Sequence, residues 1–423
     1  MTLSVGQWGW WAGLGAAGGL FVRLVGYLSL LEAWLLLTLP LRIRELVATC
    51  WMPGVRGFTL LWIGWMVGAA GADFAHATPF PLAARGFSRV FFLGFVCLCL
   101  LPQWLARPRR LEAFLAGAPI AHLVGLKYFR SGTYTIDGIE IDAANLGWET
   151  WTNYFLLSIV MAVIARLWRW SPWICAALAA GTGGVNLLMG SRSAGATQLV
   201  AAALMPFFMG RKLEQRGLGG GRIVAILVTF IVGGMAIAML YGSLAAEGTL
   251  GEKAREKYER QQAAKGGLLV GGRAEFFVGL SAALDRPLLG HGSWPADTGE
   301  AVERAASRFG LEISDAGRPR DPHVQTLIPT HSAMVGAWVE HGIMGGIFWL
   351  SMLGLLLRNT PRAVRFLPES TGLLVFNAPA AVWAIFFSPI PARATSAIVL
   401  VPLLVIQVRQ RQAQRHRHGR LAS

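Results

Sequence analysis

His331, Arg192, Arg273 and Glu340 are ionisable residues that stand where apolar runs of this sequence begin or end. His331 lies in "PTHSAMVGAWVEHGIMGGIFWL" (329–350), which begins polar and turns apolar enough for lipid. A histidine exchanges a proton near neutral pH and can act as general base on a hydroxyl. The plainer role is a helix-start histidine bonded to backbone, with Thr330 as N-cap. Arg192 sits in "GSRSAGA" (190–196), between two apolar runs with almost no loop. Its planar fork suits two phosphate oxygens at once; as a snorkelling side chain it would only anchor a helix end. Arg273, two residues before Glu275, can likewise grip phosphate or touch lipid headgroups. Arg286 and Asp285 read as a local ion pair beside the turn "RPLLGHG".

Glu340 follows His331 by nine residues, which is roughly 13 Å along a straight helix and on its opposite side, so the two form no direct dyad. An acidic residue at the outer end of an apolar run points to a cationic partner, one of the arginines. Gly342 and Gly346 are spaced for close helix packing. His291, His323 and His341 lack tight ligand spacing, so no metal is expected. No DxD pair, nucleotide-binding loop or nucleophile elbow is visible.

The elements that must position these residues are membrane helices. Of 423 residues 54% are hydrophobic and 14% charged, with 17 Trp and 22 Phe, more apolar surface than a soluble domain can hide. Apolar runs of roughly 17–25 residues recur along the chain, each long enough to cross a bilayer as a helix. Backbone groups in lipid must be satisfied internally, which excludes an open sheet. The fold class is therefore an all-α polytopic membrane protein with about twelve transmembrane helices. The expected spans are 5–22, 24–41, 57–72, 88–106, 113–127, 151–167, 172–190, 194–210, 223–241, 340–357, 372–388 and 394–408. Residues 1–241 carry the first nine, 242–339 form one large outward loop, 340–408 carry the last three, and 409–423 are a basic tail. Within the loop, 251–265 reads as a solvated helix with opposite-charge pairs. Residues 271–292 read as an amphipathic helix along the membrane surface.

The net charge is +15. Basic residues cluster in the short loops of one side, about twenty against about seven, and that is the topology signal of the cytoplasmic face. A nucleic-acid partner is excluded on that ground. Both termini are then cytoplasmic, and the mouth at His331 faces outward, into the periplasm if the source is Gram-negative.

"HSAMVGAWVEHGIMGG" sets His331, Glu340, Gly342 and Gly345 at the spacing of the "H-N-x-x-L…E-x-G-x-x-G" signature, and thus resembles the O-antigen ligase family. "SRSAGA" (191–196) resembles that family's outward S-R-x motif, and "GGRAEFFVGLSAALDRPLLGHG" its R…P-x-x-G-x-G segment. The motifs cover about 180–350, in the family's order. Ser332 replaces the usual Asn, though its hydroxyl still donates and accepts, and Met334 and Val335 fill the region of a common Leu. The resemblance implies a GT-C-like fold in the bacterial inner membrane. It implies an undecaprenyl-diphosphate-linked glycan donor and an acceptor that is lipid A–core or a growing glycan, with no metal or other cofactor. Carried over, Arg192 and Arg273 would bind the diphosphate and His331 would activate the acceptor hydroxyl, with Ser191, Ser332 and Glu340 in support. Ligation to lipid A–core suits one dominant outward loop. A repeat-unit polymerase would more often show two, and a lipid-linked glycan transporter would need charges through mid-membrane and repeated halves.

Overall fold

The computed structural model describes residues 4–23, 27–107, 109–124, 133–136, 139–142, 148–189, 191–208, scattered positions within 228–259, 274–297, 299–309, 326–388 and 393–422. The described residues are nearly all helical. Three two-stranded antiparallel ribbons are the exceptions among the described residues. Four stretches there are helical, long and apolar enough to cross a membrane: Arg56–Ala75, Phe80–Ala106, Ala333–Phe366 and Pro368–Phe387. Pro172–Leu188 and Ser193–Phe208 are shorter apolar helices. This is the architecture of a helical membrane protein. Large apolar side chains stay exposed on the outside of these helices, among them Val67, Leu350 and Leu357, as lipid contact requires and water disfavours.

The first two expected spans are corrected. Helix α1 is Val5–Ala17, 13 residues, or about 20 Å, short of the roughly 30 Å hydrocarbon layer. The expected span 24–41 is not one helix. A ribbon pairs Phe21–Arg23 with Tyr27–Ser29. Helix α2 (Leu30–Leu37) then starts with a capping box in which Ser29 and Glu32 each serve the other's backbone N–H. Glu32, which interrupts the apolar run in the sequence, is thus a helix-start residue. Helix α3 (Leu39–Cys50) follows after Thr38.

Most other spans fall where the apolar runs lie: α4 (Arg56–Ala75), α5 (Phe80–Ala106), α6 (Arg109–Val124), α7 (Trp148–Leu167), α8 (Pro172–Leu188) and α9 (Arg192–Leu204). The expected span 223–241 lies largely outside the described residues, as does most of 251–265, where Arg255 pairs with Glu259 at 2.9 Å. Within 242–339 stand α10 (Ala274–Asp285) and α11 (Glu300–Phe309). Then come α12 (Ala333–Asn359), α13 (Thr371–Phe387) and α14 (Arg393–Ala422). The boundaries that move most are three: α5 begins eight residues before the expected 88, α12 seven residues before the expected 340, and α14 runs through the basic tail as helix.

The packing that positions the site joins α4, α5 and α12. Trp62 lies on Gly94, where a Cβ would meet the indole at 2.4 Å, and its N–H donates to Val90 O at 2.9 Å. Trp65 is fully buried and packs at a tilt on Phe348 of α12, with ring centroids 4.7 Å apart. A second, smaller core of Val278, Ala282, Ala301, Ala305, Val335 and Val339 packs α10 and α11 on the first half of α12.

Candidate functional site

Serine 332 is the N-cap of α12. Its hydroxyl accepts from Val335 N at 3.1 Å and donates to Ile385 O of α13 at 2.8 Å. The cap is therefore Ser332, not Thr330, and His331 stands just outside the helix. Helix α10 packs across this start. At Gly279 a Cβ would come within 3.0 Å of Val335 and 3.2 Å of Thr330. That packing brings Glu275, in the first turn of α10, against His331, whose Nδ1 meets a Glu275 carboxylate oxygen. Both side chains are a little over one-third exposed. With Nδ1–H given to the carboxylate, the neutral ring accepts protons at Nε2. This is the orientation of a general base held by an acid.

A helix that begins at 333 cannot carry His331 and Glu340 as one straight rod, and α12 breaks directly after Glu340. His341 (φ −124°, ψ 17°) and Gly342 (φ +66°) leave helical geometry. A Cβ on Gly342 would fall 2.0 Å from Leu288 O. Gly342 therefore serves a kink and a backbone contact, not the helix packing that its spacing with Gly346 suggests. The "RPLLGHG" turn fills the kink. His291 N donates to Val339 O (2.7 Å), Gly292 N to Glu340 O (3.0 Å) and Ile343 N to Leu288 O (3.3 Å). Carbonyls freed by the break are thus satisfied, as a helix interrupted within lipid needs.

Beneath the kink a buried chain of side chains crosses three elements. Trp65 Nε1 donates to His341 Nδ1 at 3.0 Å. The neutral ring then carries its proton on Nε2, which donates to Ser293 Oγ at 3.2 Å. Ser293 Oγ donates to Asp73 Oδ2 at 2.9 Å, and Ser293 N to Asp73 Oδ1 at 2.6 Å. His341 is fully buried and Ser293 nearly so. The residue types are those of a hydrolase triad, but the proton order is reversed. His341 donates to the serine and so cannot take its proton. The chain is a latch that fixes the turn to α4 and α12. On α5, Gly86 makes room for it, since a Cβ there would lie 1.9 Å from Ser293 Oγ.

The cation that Glu340 needs is Arg89 of α5, in direct hydrogen-bonded contact. The expected Arg286–Asp285 pair does not form. Asp285 binds Arg304 and Arg308 of α11 at 3.1 and 3.0 Å. Arg286 Nη1 donates to His76 Nδ1 at 3.0 Å, and His76 Nε2 in turn donates to Gly290 O at 2.8 Å. Of the three other histidines, His341 is buried in the latch and His323 lies outside the described residues. His291 Nε2 donates to Ala282 O at 2.9 Å. Burial, with the nearby charge of Arg286, pushes His291 below its usual pKa.

Ser191 and Arg192 stand at a tight α8–α9 hairpin. Ser191 is the residue before the helix, its N–H donating to Asn186 O at 2.8 Å, and Arg192 is the first residue of α9. Gly183 and Gly195 bring the two backbones together, and Asn186 Nδ2 donates to Gln198 Oε1 at 2.8 Å in the buried interface. The almost absent loop is as expected. Arg273 lies outside the described residues, immediately before α10. The site residues that sequence reasoning passed over are Glu275 as the partner of His331, and Asp73, Arg89 and Ser293. An acidic residue beside an apolar run, such as Asp73, is the signal that was open to use.

No protein-family model matches the chain, and a search of curated proteins finds no match.

Proposed function

We propose that the protein is a glycosyltransferase. In this reading it moves a glycan from an undecaprenyl-diphosphate carrier to an acceptor hydroxyl at the periplasmic face of the inner membrane. The reaction is ligation of finished O-antigen to lipid A–core, without metal or nucleotide sugar. The observation that carries the reading is the His331–Glu275 pair, about one-third exposed at the mouth of an apolar helix, with Glu275 two residues after Arg273. In this reading the GT-C-like arrangement rests on the resemblance of the motifs, and the cytoplasmic placement of the termini rests on the basic loops.

The chemistry asks little of the protein. The acceptor hydroxyl attacks the anomeric carbon from the side opposite the diphosphate. The new C–O bond forms as the bond to the phosphate oxygen breaks, and undecaprenyl diphosphate leaves with the electron pair. The hydroxyl proton passes to Nε2 of His331, with Glu275 stabilising the imidazolium. Arg192 and Arg273 would neutralise charge developing on the leaving group. Arg192 opens α9, and the first backbone N–H groups of a helix favour an anion at the same place. Anomeric configuration is inverted.

The test is a lipopolysaccharide gel, with the lipid-linked glycan pool, from a deletion strain carrying wild-type, Arg273→Ala or His331→Ala protein. Long chains missing from lipid A–core, with polymer still on the prenyl lipid, support ligation. Single repeat units on the core, with no polymer on either lipid, would replace ligation by polymerisation. An unchanged pattern in the deletion itself would remove the protein from this pathway, and full transfer by Arg273→Ala would refute the site.

A further inference from the structure

The far end of α5 holds a second constellation that glycan transfer does not use. Gly86 and Arg89, near one end of the helix, touch the latch and Glu340. Gln103, at the other end, lies roughly 21 Å further along the axis. There a cavity of about 390 Å³ opens among α1, α2, α3, α5 and α6, in the size range of small-ligand sites. Trp10, Trp11, Trp34, Arg42, Gln103 and Arg110 line it.

Its charge is one-sided. Two guanidinium groups face one cavity that no carboxylate lines, and neither Arg42 nor Arg110 forms an ion pair among the described residues. Arg42 lies over Trp34 at 4.8 Å and Arg110 over Trp11 at 5.2 Å. An indole under each guanidinium face leaves its N–H edge as the ligand-binding part. Arg110 Nη1 donates to Gln103 Oε1 at 2.5 Å, but its Nε is buried without a partner. The walls are firm. Helices α1 and α6 cross backbone to backbone, where a Cβ on Gly15 would fall 2.0 Å from Phe114 O and one on Gly117 1.9 Å from Ala12 O.

We propose that this cavity binds a phosphate anion, presented by an anionic phospholipid headgroup, at the membrane face opposite the His331 site. Two guanidinium edges match the several acceptor oxygens of a phosphate. The rim favours a lipid over a free ion. Val5, Trp8 and Trp10 of α1 are exposed, and exposed Trp beside basic side chains is what sits at headgroup level.

The test uses the full chain purified in detergent and exchanged into lipid discs of phosphatidylglycerol and phosphatidylcholine in equal parts. Native mass spectrometry then counts the lipid that stays bound. Wild-type protein is expected to retain phosphatidylglycerol preferentially, and the Arg42→Gln/Arg110→Gln double variant to lose that preference by about tenfold, as loss of charge-assisted hydrogen bonds implies. Arg44→Gln, exposed on the same helix as Arg42 and outside the cavity, should behave as wild type. Arg42→Lys/Arg110→Lys keeps the charge and loses the fork, so partial retention is expected and guards against a misfolded double Gln variant. Binding of inorganic phosphate without lipid preference, abolished in the double Gln variant, would keep the anion site and make free phosphate its ligand. Equal lipid retention by wild type and the double Gln variant, or equal loss in Arg44→Gln, overturns the proposal.

Discussion

Two histidines ten residues apart, each with a carboxylate in its network, do opposite work. His341 is buried, and both of its ring nitrogens are taken, by Trp65 and by Ser293, which is held in turn by Asp73. His331 is about one-third exposed and has one nitrogen set against Glu275. The first arrangement has a single proton order and no path to solvent, so it holds geometry. The second is reached by solvent, so it can exchange a proton. Residue type does not separate them. Burial and the direction of each hydrogen bond do.

Breaking either side sharpens this contrast. The largest effect is expected from His331→Ala, which should cut transfer by about 10²–10⁴-fold, the range of a general base, at nearly unchanged melting temperature. Transfer assayed on purified protein with extracted lipid-linked glycan checks it, and near wild-type turnover would remove His331 from the chemistry. Next comes Gly342→Val, a β-branched residue forced into positive φ and onto Leu288 O; a loss of about 3 kcal/mol or more is expected. Melting in detergent measures it, and a wild-type melting temperature would mean that α12 does not kink there.

Asp73→Ala leaves the Ser293 N–H and hydroxyl buried without their acceptor, for roughly 1–3 kcal/mol of stability. Turnover per folded molecule should hardly change. If transfer falls as far as in His331→Ala while stability holds, the latch is itself catalytic and the comparison collapses. Glu275→Gln should lower kcat roughly 10- to 100-fold through loss of ring orientation, with KM for the donor little altered. A rise in KM alone would assign Glu275 to binding.

The smallest effect concerns pH. His291 has a folded pKa below that of the unfolded chain, so it contributes stability in full above the unfolded value of about 6.5. As pH falls from there towards the folded pKa, the unfolded chain takes up the proton first and this stability is lost. Melting temperatures at pH 5 and 8 should differ less in His291→Gln than in wild type, and an equal difference would show that His291 does not titrate on unfolding.

Much of the helical architecture is legible in apolar periodicity and length, because lipid tolerates little else. That signal fails at 24–41, where the Ser29–Glu32 capping box starts a helix inside an apolar run. It also leaves Gly342 ambiguous, since a glycine in a membrane helix can mark packing or a kink. Glu340 declares its need for a cation by being acidic in an apolar setting, but which arginine answers it depends on how α5 lies against α12. Ser293 and Asp73 are 220 residues apart and of ordinary type. No spacing rule joins them.

By itself the sequence determined that this chain lives in a membrane as helices, and that a histidine stands at 329–332, where an apolar run begins. These follow from composition and local pattern, which act on each segment separately. Only the tertiary structure decided that His331 meets Glu275 while His341 is sealed, that Arg89 rather than another arginine neutralises Glu340, and that two arginines share a cavity at the other end of α5. Those outcomes depend on which helix faces are packed together, and burial and hydrogen-bond direction exist only once they are.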